Sequence, residues 1–417
     1  MRPEPSSSPP AVAVMGTFDT KAEPLLYLAG RIAAEGGRPL LLDVGVAREV
    51  TLPPGAPGPL WPAAPEAERV AWRQLPRGEA VERMSLAARA RLGALVASGE
   101  AGGAVGVGGS GGTTICAAAM RGLDYGVPKL LVSTLASGNT RWHVDISDIV
   151  MMPSVVDVAG LNPLLAMVLD RAASAITAMV RARRPLEPSG RPVVGVTMYG
   201  TTTAGVSRAC ELIAEGGLEP WIFHASGVGG RTLERLIALG HVQGTMDMTL
   251  AEIGGHLVGG LHDGGPDRLS AAGALGLPQV VVPGAADTVV LPPRAELPER
   301  FRGRTLNLHN PTMVTMRTSV DENVAIARFI ADKLNRAKGP VTVVLPLGGL
   351  SSLDRPGKIF FDPAANAALF ETLRSSLSAA IPVVEDPHHI DDPPFAARVA
   401  SLMARAMAEE KERSKRS

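Results

Sequence analysis

Residues 106–114 read Gly106-Val107-Gly108-Gly109-Ser110-Gly111-Gly112-Thr113-Thr114. The stretch begins inside the apolar run Ala104–Val107 and leads into the helical pattern Thr113–Arg121, with Thr113 placed to cap it. Five glycines in seven residues serve neither helix nor strand, because each costs ~1 kcal/mol relative to alanine in regular structure. They permit positive φ and close approach of the backbone. Such a main chain forms a cradle for phosphate or ribose. The competing explanation is tight packing of the helix on the sheet.

Strand, glycine loop and helix in succession form half of a βαβ unit, and the pattern repeats in both directions. Apolar runs recur at Ala11–Met15, Pro39–Leu42, Lys129–Val132, Val193–Met198, Trp221–Phe223, Gln279–Val282, Val341–Leu345 and Ile381–Val384. Each is followed by small residues and a longer Ala/Leu/Arg stretch. Continuous apolar strands are buried on both faces, and their alternation with helices implies parallel sheets. The expected fold class is α/β, with two Rossmann-like subdomains, mainly parallel sheets and a cleft between them. Arg183–Pro192, with three prolines and a glycine, reads as the break between them. The expected organisation is a disordered tail at 1–10, a first domain at 11–184, a linker at 185–192, a second domain at 193–407 and a charged tail at 408–417. Thr51–Pro65, dense in proline and glycine, reads as a long surface loop.

The two sides of the linker echo each other. Gly16-Thr17-Phe18-Asp19-Thr20 pairs with Gly200–Gly205, the glycine loop Gly108–Gly112 with Ala225–Gly230, and Pro128–Ser133 with Pro278–Pro283. On this reading the second half carries an insertion at roughly His241–Leu275.

Composition bounds the function classes. The chain has 417 residues, 41 Lys+Arg against 41 Asp+Glu, and only 4% aromatic residues. Zero net charge does not steer the molecule toward nucleic acid or an anionic membrane. The two cysteines, Cys116 and Cys210, lie in apolar helical stretches without zinc spacing, and read as buried small hydrophobes. No signal-peptide pattern and no run of ~18 apolar residues is evident, so the expected location is the cytoplasm.

Three loops of the first half carry candidate chemistry. In the first, Gly16, Thr17, Asp19, Thr20 and Lys21 follow the opening strand. Thr20 and Glu23 spell a capping box, although Pro24 offers an alternative helix start. Backbone N–H groups there favour an anion, Thr17 and Thr20 can donate to phosphate, and Lys21 can neutralise it. Asp19 is the candidate Mg²⁺ ligand. The second loop is Gly108, Gly109, Ser110, Gly111, Gly112 and Thr113. The third is Ser133–Thr140, with Ser133, Thr134, Ser137 and Gly138 as contacts. Loops at the carboxyl ends of neighbouring parallel strands line one crevice.

A Walker A loop is absent, and the G-x-G-x-x-G at Gly106, Gly108 and Gly111 lacks the acidic residue a dinucleotide site needs about 20 residues on. The same loop also spells G-x-S-x-G around Ser110, the pattern of a serine-hydrolase elbow. Asp145 or Asp148 with His224 or His309 would complete a triad in the required order.

The motifs resemble those of a known family, the ATP-binding domain of the tomato mosaic virus resistance protein type. The resemblance rests on Gly16–Lys21, Gly108–Thr113, Pro128–Gly138, Asp148–Asn162, Phe223–Arg231, Gly265–Leu269 and Leu308–Thr312, and runs over about residues 11–400. It implies two Rossmann-like subdomains, ATP with Mg²⁺ in the first, and a tendency to form a dimer or higher homo-oligomer. A TIM-barrel domain follows this unit in the plant protein and has no counterpart in these 417 residues; a separately encoded barrel is an alternative.

In the second half His224, Asp247, Glu252, His256, His262, Asp263, Asp287 and His309 gather near loop positions. His224, Asp287 and His309 are the catalytic candidates. Glu252 and His256, four apart, would share a helix face. Arg231, Arg268 and Arg317 can clamp an anion. The expected function is ATP-dependent phosphoryl or adenylyl transfer to a small anionic metabolite. The alternatives are a non-enzymatic nucleotide sensor and the serine hydrolase.

Overall fold

The computed structural model describes residues 11–184, 186 and 189–416. The expected tail at 1–10, and Pro185, Glu187 and Pro188 of the expected linker, lie outside the described residues. The chain divides into two compact units, Met1–Glu187 and Pro188–Ser417.

The first unit is built on one parallel sheet: β1 (Ala11–Gly16), β2 (Arg38–Asp43), β3 (Leu60–Pro62), β4 (Gly103–Gly108), β5 (Lys129–Ser133) and β6 (Val150–Pro153). Its strand order is β3-β2-β1-β4-β5-β6, that of doubly wound dinucleotide-binding sheets. β1 shows why the strand is continuously apolar. Ala13 and Met15 pack on one side with Met84, Leu92 and Cys116. Val12 and Val14 pack on the other with Leu25, Leu28 and Leu169. Glycines in β4 let a helix approach: a Cβ at Gly106 would stand 2.9 Å from Cys116 Cβ. Burial of Cys116 pushes its thiol up to about 12, as befits a packing residue. The helix Pro163–Arg181 is long and apolar enough to span a membrane by composition. Its Leu165, Val168, Leu169, Ala172 and Ile176 instead pack on this sheet, so it is a core helix.

The second unit contains β7 (Val193–Met198), β8 (Glu219–His224), β9 (Gly244–Asp247), β10 (Gln279–Val281), β11 (Thr288–Leu291), β12 (Leu306–Asn310), β13 (Met313–Arg317), β14 (Val341–Pro346) and β15 (Val383–Asp386). Six of them form a parallel sheet in the order β15-β14-β10-β9-β7-β8. The other three form an antiparallel sheet in the order β11-β13-β12.

Two expectations change. The stretch His241–Leu275 is not an insertion, because β9 pairs with both β7 and β10 inside the sheet. The added element is the antiparallel sheet, with its own core of Val289, Leu291, Phe301, Val314 and Met316. The echo is also shifted. Topologically β4 corresponds to β9, not β8, so the Ala225–Gly230 loop is the counterpart of the loop after β2. Thr51–Pro65 is loop apart from the short edge strand β3, and the charged end from Ala408 on belongs to the helix Pro393–Arg416.

Candidate functional site

The switch point of the first sheet lies between β1 and β4, whose following chains diverge to opposite sides and leave a crevice at their carboxyl ends. A cavity of about 680 Å³ occupies it. Thr17, Asp19, Thr20 and Lys21 line it from the loop after β1, and Gly109, Ser110, Gly111 and Gly112 from the loop after β4. Thr134 and Leu135 line it from beyond β5.

The glycines of the second loop divide by function. Gly108 is structural: a Cβ there would lie 2.6 Å from the Thr113 amide nitrogen. Gly109, Gly111 and Gly112 are different. An added Cβ at any of them would meet no protein atom closer than 3.6 Å. None has a positive φ, contrary to the expectation from sequence. Neither sterics nor backbone conformation requires glycine at these three positions, and their bare edges face the cavity. The helix Ser110–Met120 starts here, and Gly109 provides no side-chain cap. The amides of Ser110, Gly111 and Gly112 have no protein acceptor among the described residues. Uncapped amides at a helix N-terminus form an anion site.

The first loop is held by acids from its neighbours. Asp43, fully buried, accepts from the amides of Phe18 (3.1 Å) and Gly45 (2.9 Å) and from the Arg69 guanidinium (2.6 Å). Desolvation raises the Asp43 carboxyl, and the two amides and Arg69 oppose it. Asp19 is 2% exposed; its Oδ2 accepts from the Ala47 amide at 2.7 Å, and its Oδ1 has no hydrogen-bond partner. The expected capping box does not form. The helix Phe18–Ala34 instead breaks its conformation at Lys21, which lets Pro24 sit in the first turn of the continuing segment. Lys21 donates from Nζ to the carbonyl of Val158. Thr17 and Thr20 hydroxyls lie 2.9 Å apart.

Several sequence candidates prove structural. Gly16 packs under Leu25, whose methyl would stand 2.6 Å from an added Cβ. Thr113 is buried, donates to Gly108 O and pairs with the Ser133 hydroxyl at 2.6 Å. Gly138 closes a turn with Leu135. Ser133 and Ser137 line a second cavity. Residues that sequence reasoning missed are Val46, Ala47, Arg77, Val81, Ile115 and Asp157. Arg77 has no hydrogen-bond or ion-pair partner among the described residues, and its Nη2 lies 3.6 Å from where a Gly111 Cβ would be. Its only signal in sequence is a basic residue directly after Pro76 at a helix start.

The second unit holds no comparable open cradle at its glycine loop. The helix Val228–Ala238 begins there, but Glu252 accepts from the amides of Gly227 (2.6 Å) and Gly230 (3.0 Å). Arg268, 1% exposed, binds Glu252, Glu234 and Asp247. Arg317 is buried on Phe360 O and Asn366. Neither is free to clamp a ligand. Arg231 donates to Gly227 O. Glu252 and His256 do not act as a pair, since His256 lies 2.9 Å from Asp263. Asp287 is fully buried and accepts from the Ser351 hydroxyl at 2.7 Å. His224 is exposed and stacks on Tyr199 at 5.3 Å, while Tyr199 OH meets His262 Nδ1 at 3.0 Å. The His309 side chain lies outside the described residues.

The serine-hydrolase pattern fails on geometry. A nucleophile elbow needs a strained serine backbone, whereas Ser110 has no positive φ and opens an ordinary helix. Among the described residues no histidine lines the cavity, and Asp148 is engaged by Lys129 at 2.5 Å.

Residues 10–185 match the N-terminal domain, and residues 191–407 the C-terminal domain, of the uncharacterised protein family UPF0261. The chain belongs to this family. A UPF0261 protein of Clostridium tetani is 39% identical over 407 residues, 95% of this chain and 98% of that protein. A UPF0261 protein of Rhizobium meliloti is 42% identical over 92% of this chain and 96% of its own length. The ToMV resistance protein Tm-1 of Solanum lycopersicum is 40% identical over 77% of this chain, which spans only 43% of that protein. Among solved structures, MurG of Acinetobacter baumannii aligns over 95% of this chain and 99% of its own at 13% identity. Its TM-score of 0.24 is too low to bear on fold or activity. The UPF0261 match places the open glycine cradle in the N-terminal domain and the Glu252-filled loop in the C-terminal domain.

Proposed function

We propose that the first unit binds ATP with Mg²⁺ and transfers its phosphoryl group to a small acceptor. The observation that carries this reading is the cradle itself: three glycines that neither packing nor backbone conformation requires, at an uncapped helix N-terminus facing a 680 Å³ cavity. Phosphates would rest on the amides of Ser110–Gly112, with Lys21 and Arg77 supplying positive charge. The base would lie toward Val46, Val81 and Ile115, which give the cavity its apolar wall. ATP, rather than another nucleotide, follows the family resemblance.

The residues fit a divalent ion that arrives with its nucleotide. Among the described residues there is no cluster of three or more His, Cys, Asp or Glu side chains able to hold a metal. Mg²⁺ characteristically takes one or two carboxylates plus substrate phosphates. The orphaned Asp19 Oδ1 supplies such a carboxylate, and Asp157 lines the same cavity. Bound there, the ion would offset charge on the phosphates. The chain's own part is positioning: Asp43 fixes the loop after β1, and the helix amides orient the phosphates.

Calorimetry of the full chain with ATP, and separately with a non-hydrolysable analogue, tests the reading in the presence of Mg²⁺. Saturable binding that the Gly111→Ala variant weakens is expected. Absence of heat with either ligand, or equal affinity in wild type and variant, overturns it.

A further inference from the structure

A second cavity of about 400 Å³ adjoins the first and shares Thr134 and Asp157 with it. Its remaining lining is Ser133, Ser137 and the segment Pro153–Val156. The Asp148–Asn162 stretch contains this segment; toward the nucleotide site it offers Asp157 and the Val158 carbonyl that holds Lys21.

Three observations mark the cavity as a ligand site. The first is its set of free polar groups. The Thr134 and Ser137 hydroxyls and the Asp157 carboxylate have no partner among the described residues, whereas Ser154 is committed to Val156 O at 2.6 Å. The second is charge. Among the described residues no lysine, arginine or histidine lines the cavity, so it offers no cationic side chain to an anionic ligand. The third is backbone strain. Val155, a β-branched residue, is held at φ 66°, which costs on the order of 1–3 kcal/mol and is found where a loop shape serves a site. The Ser154 amide anchors that shape on Ser133 O at 3.1 Å.

We infer that this cavity is the acceptor subsite, and that it takes a small neutral polyhydroxy compound rather than an anion. The inference rests on the ATP reading above. Hydroxyls of the acceptor would exchange hydrogen bonds with Thr134 and Ser137 and donate one to Asp157. Asp157 then takes the proton of the attacking hydroxyl. A new acceptor O–P bond forms at the γ-phosphorus, the bond from that phosphorus to the β–γ bridging oxygen breaks, and ADP leaves with the electron pair. Asp157 stands where both cavities meet, the position such a base requires.

The test uses the full chain and measures two things separately. Glycerol, xylitol and myo-inositol, with malate and citrate as anionic controls, are titrated without nucleotide, and ATP binding is measured without acceptor. Binding of at least one polyol, its loss in Ser137→Leu, and phosphorylation of that polyol in the presence of Mg²⁺ and ATP are expected. Asp157→Asn should lower the transfer rate at least ~10²-fold while polyol binding persists. ATP binding without binding or phosphorylation of any polyol overturns the acceptor subsite and leaves the nucleotide reading standing. Polyol binding without ATP binding overturns the nucleotide reading and, with it, the transfer step. A preference for malate or citrate overturns the polyol assignment.

Discussion

Glu252 accepts a hydrogen bond of 3.0 Å from the amide of Gly230, inside the first turn of the helix Val228–Ala238. It places a protein carboxylate where the first unit, at the start of Ser110–Met120, has none. Both helices begin with a glycine-rich turn, but in the second Glu252 takes two of the amides, those of Gly227 and Gly230. An added Cβ at Gly230 would stand 1.9 Å from Glu252 Oε2, so that glycine makes room for the internal anion. The second glycine turn is thus partly filled by the protein's own carboxylate.

Removing that carboxylate should unfold the second unit readily. Glu252→Ala leaves two buried amides unpaired and takes one of three acids from Arg268, which is otherwise shared by Glu234 and Asp247. Breaking a buried charge pair from one side costs about 3–5 kcal/mol. Urea denaturation should show a loss of that order. A loss below ~1 kcal/mol would mean that the network does not hold the loop.

The glycines of the first unit make a contrasting prediction. Gly111 lies in a helix with ordinary φ and has open space beside it. Gly111→Ala should therefore leave the free protein unchanged or stabilise it by about 0.5–1 kcal/mol. It should also weaken ATP binding, because the methyl enters the cradle. Gly108→Ala should do the opposite to stability, since its Cβ would collide with backbone at 2.6–2.9 Å. Melting temperatures with and without nucleotide separate the two effects. If Gly111→Ala destabilises the free protein as Gly108→Ala does, the loop glycines serve packing.

How far this was legible in the sequence follows from what each residue depends on. β1, β4 and β5 are buried on both faces and so print as unbroken apolar runs. β9, Gly244-Thr245-Met246-Asp247, is equally buried but carries Thr245 and Asp247, and Asp247 is paired by Arg268 and Thr197, which only the fold brings close. Missing it misplaced the insertion and shifted one echo by a strand. The glycine loops were legible because backbone exposure is written in local sequence. Arg77, Val46 and Val81 were not, because they reach the cavity from segments that carry no local mark of the site. Arg268 and Arg317 looked like ligand clamps because sequence shows a charge but not its burial.

Arg77 itself is open to test. It is exposed and unpartnered among the described residues, so Arg77→Ala should change stability by no more than about 0.5 kcal/mol. A charge-assisted hydrogen bond to phosphate is worth about 1.5–3 kcal/mol, which corresponds to an affinity loss of roughly 10- to 100-fold for ATP. The loss should shrink at high salt, where phosphate contacts are screened. Unchanged affinity at low salt would remove Arg77 from the site.

Asp287 supplies a pH signature for the second unit. Burial pushes its carboxyl from 3.8 up to about 6, with Arg317 opposing the shift and Asp354 adding to it. A folded-state value above the unfolded one means that the folded form binds the proton more tightly. This stabilisation is complete below pH ~4 and is lost as pH rises through ~6, amounting to about 3 kcal/mol. Asp287→Asn, neutral at every pH and still beside Ser351 Oγ, should remove that slope. The wild type should then lose stability relative to the variant between pH 4 and 6, and the two should run parallel above pH 7. Parallel curves across the whole range would show that Asp287 carries the same charge folded and unfolded, and that Arg317 compensates its burial in full.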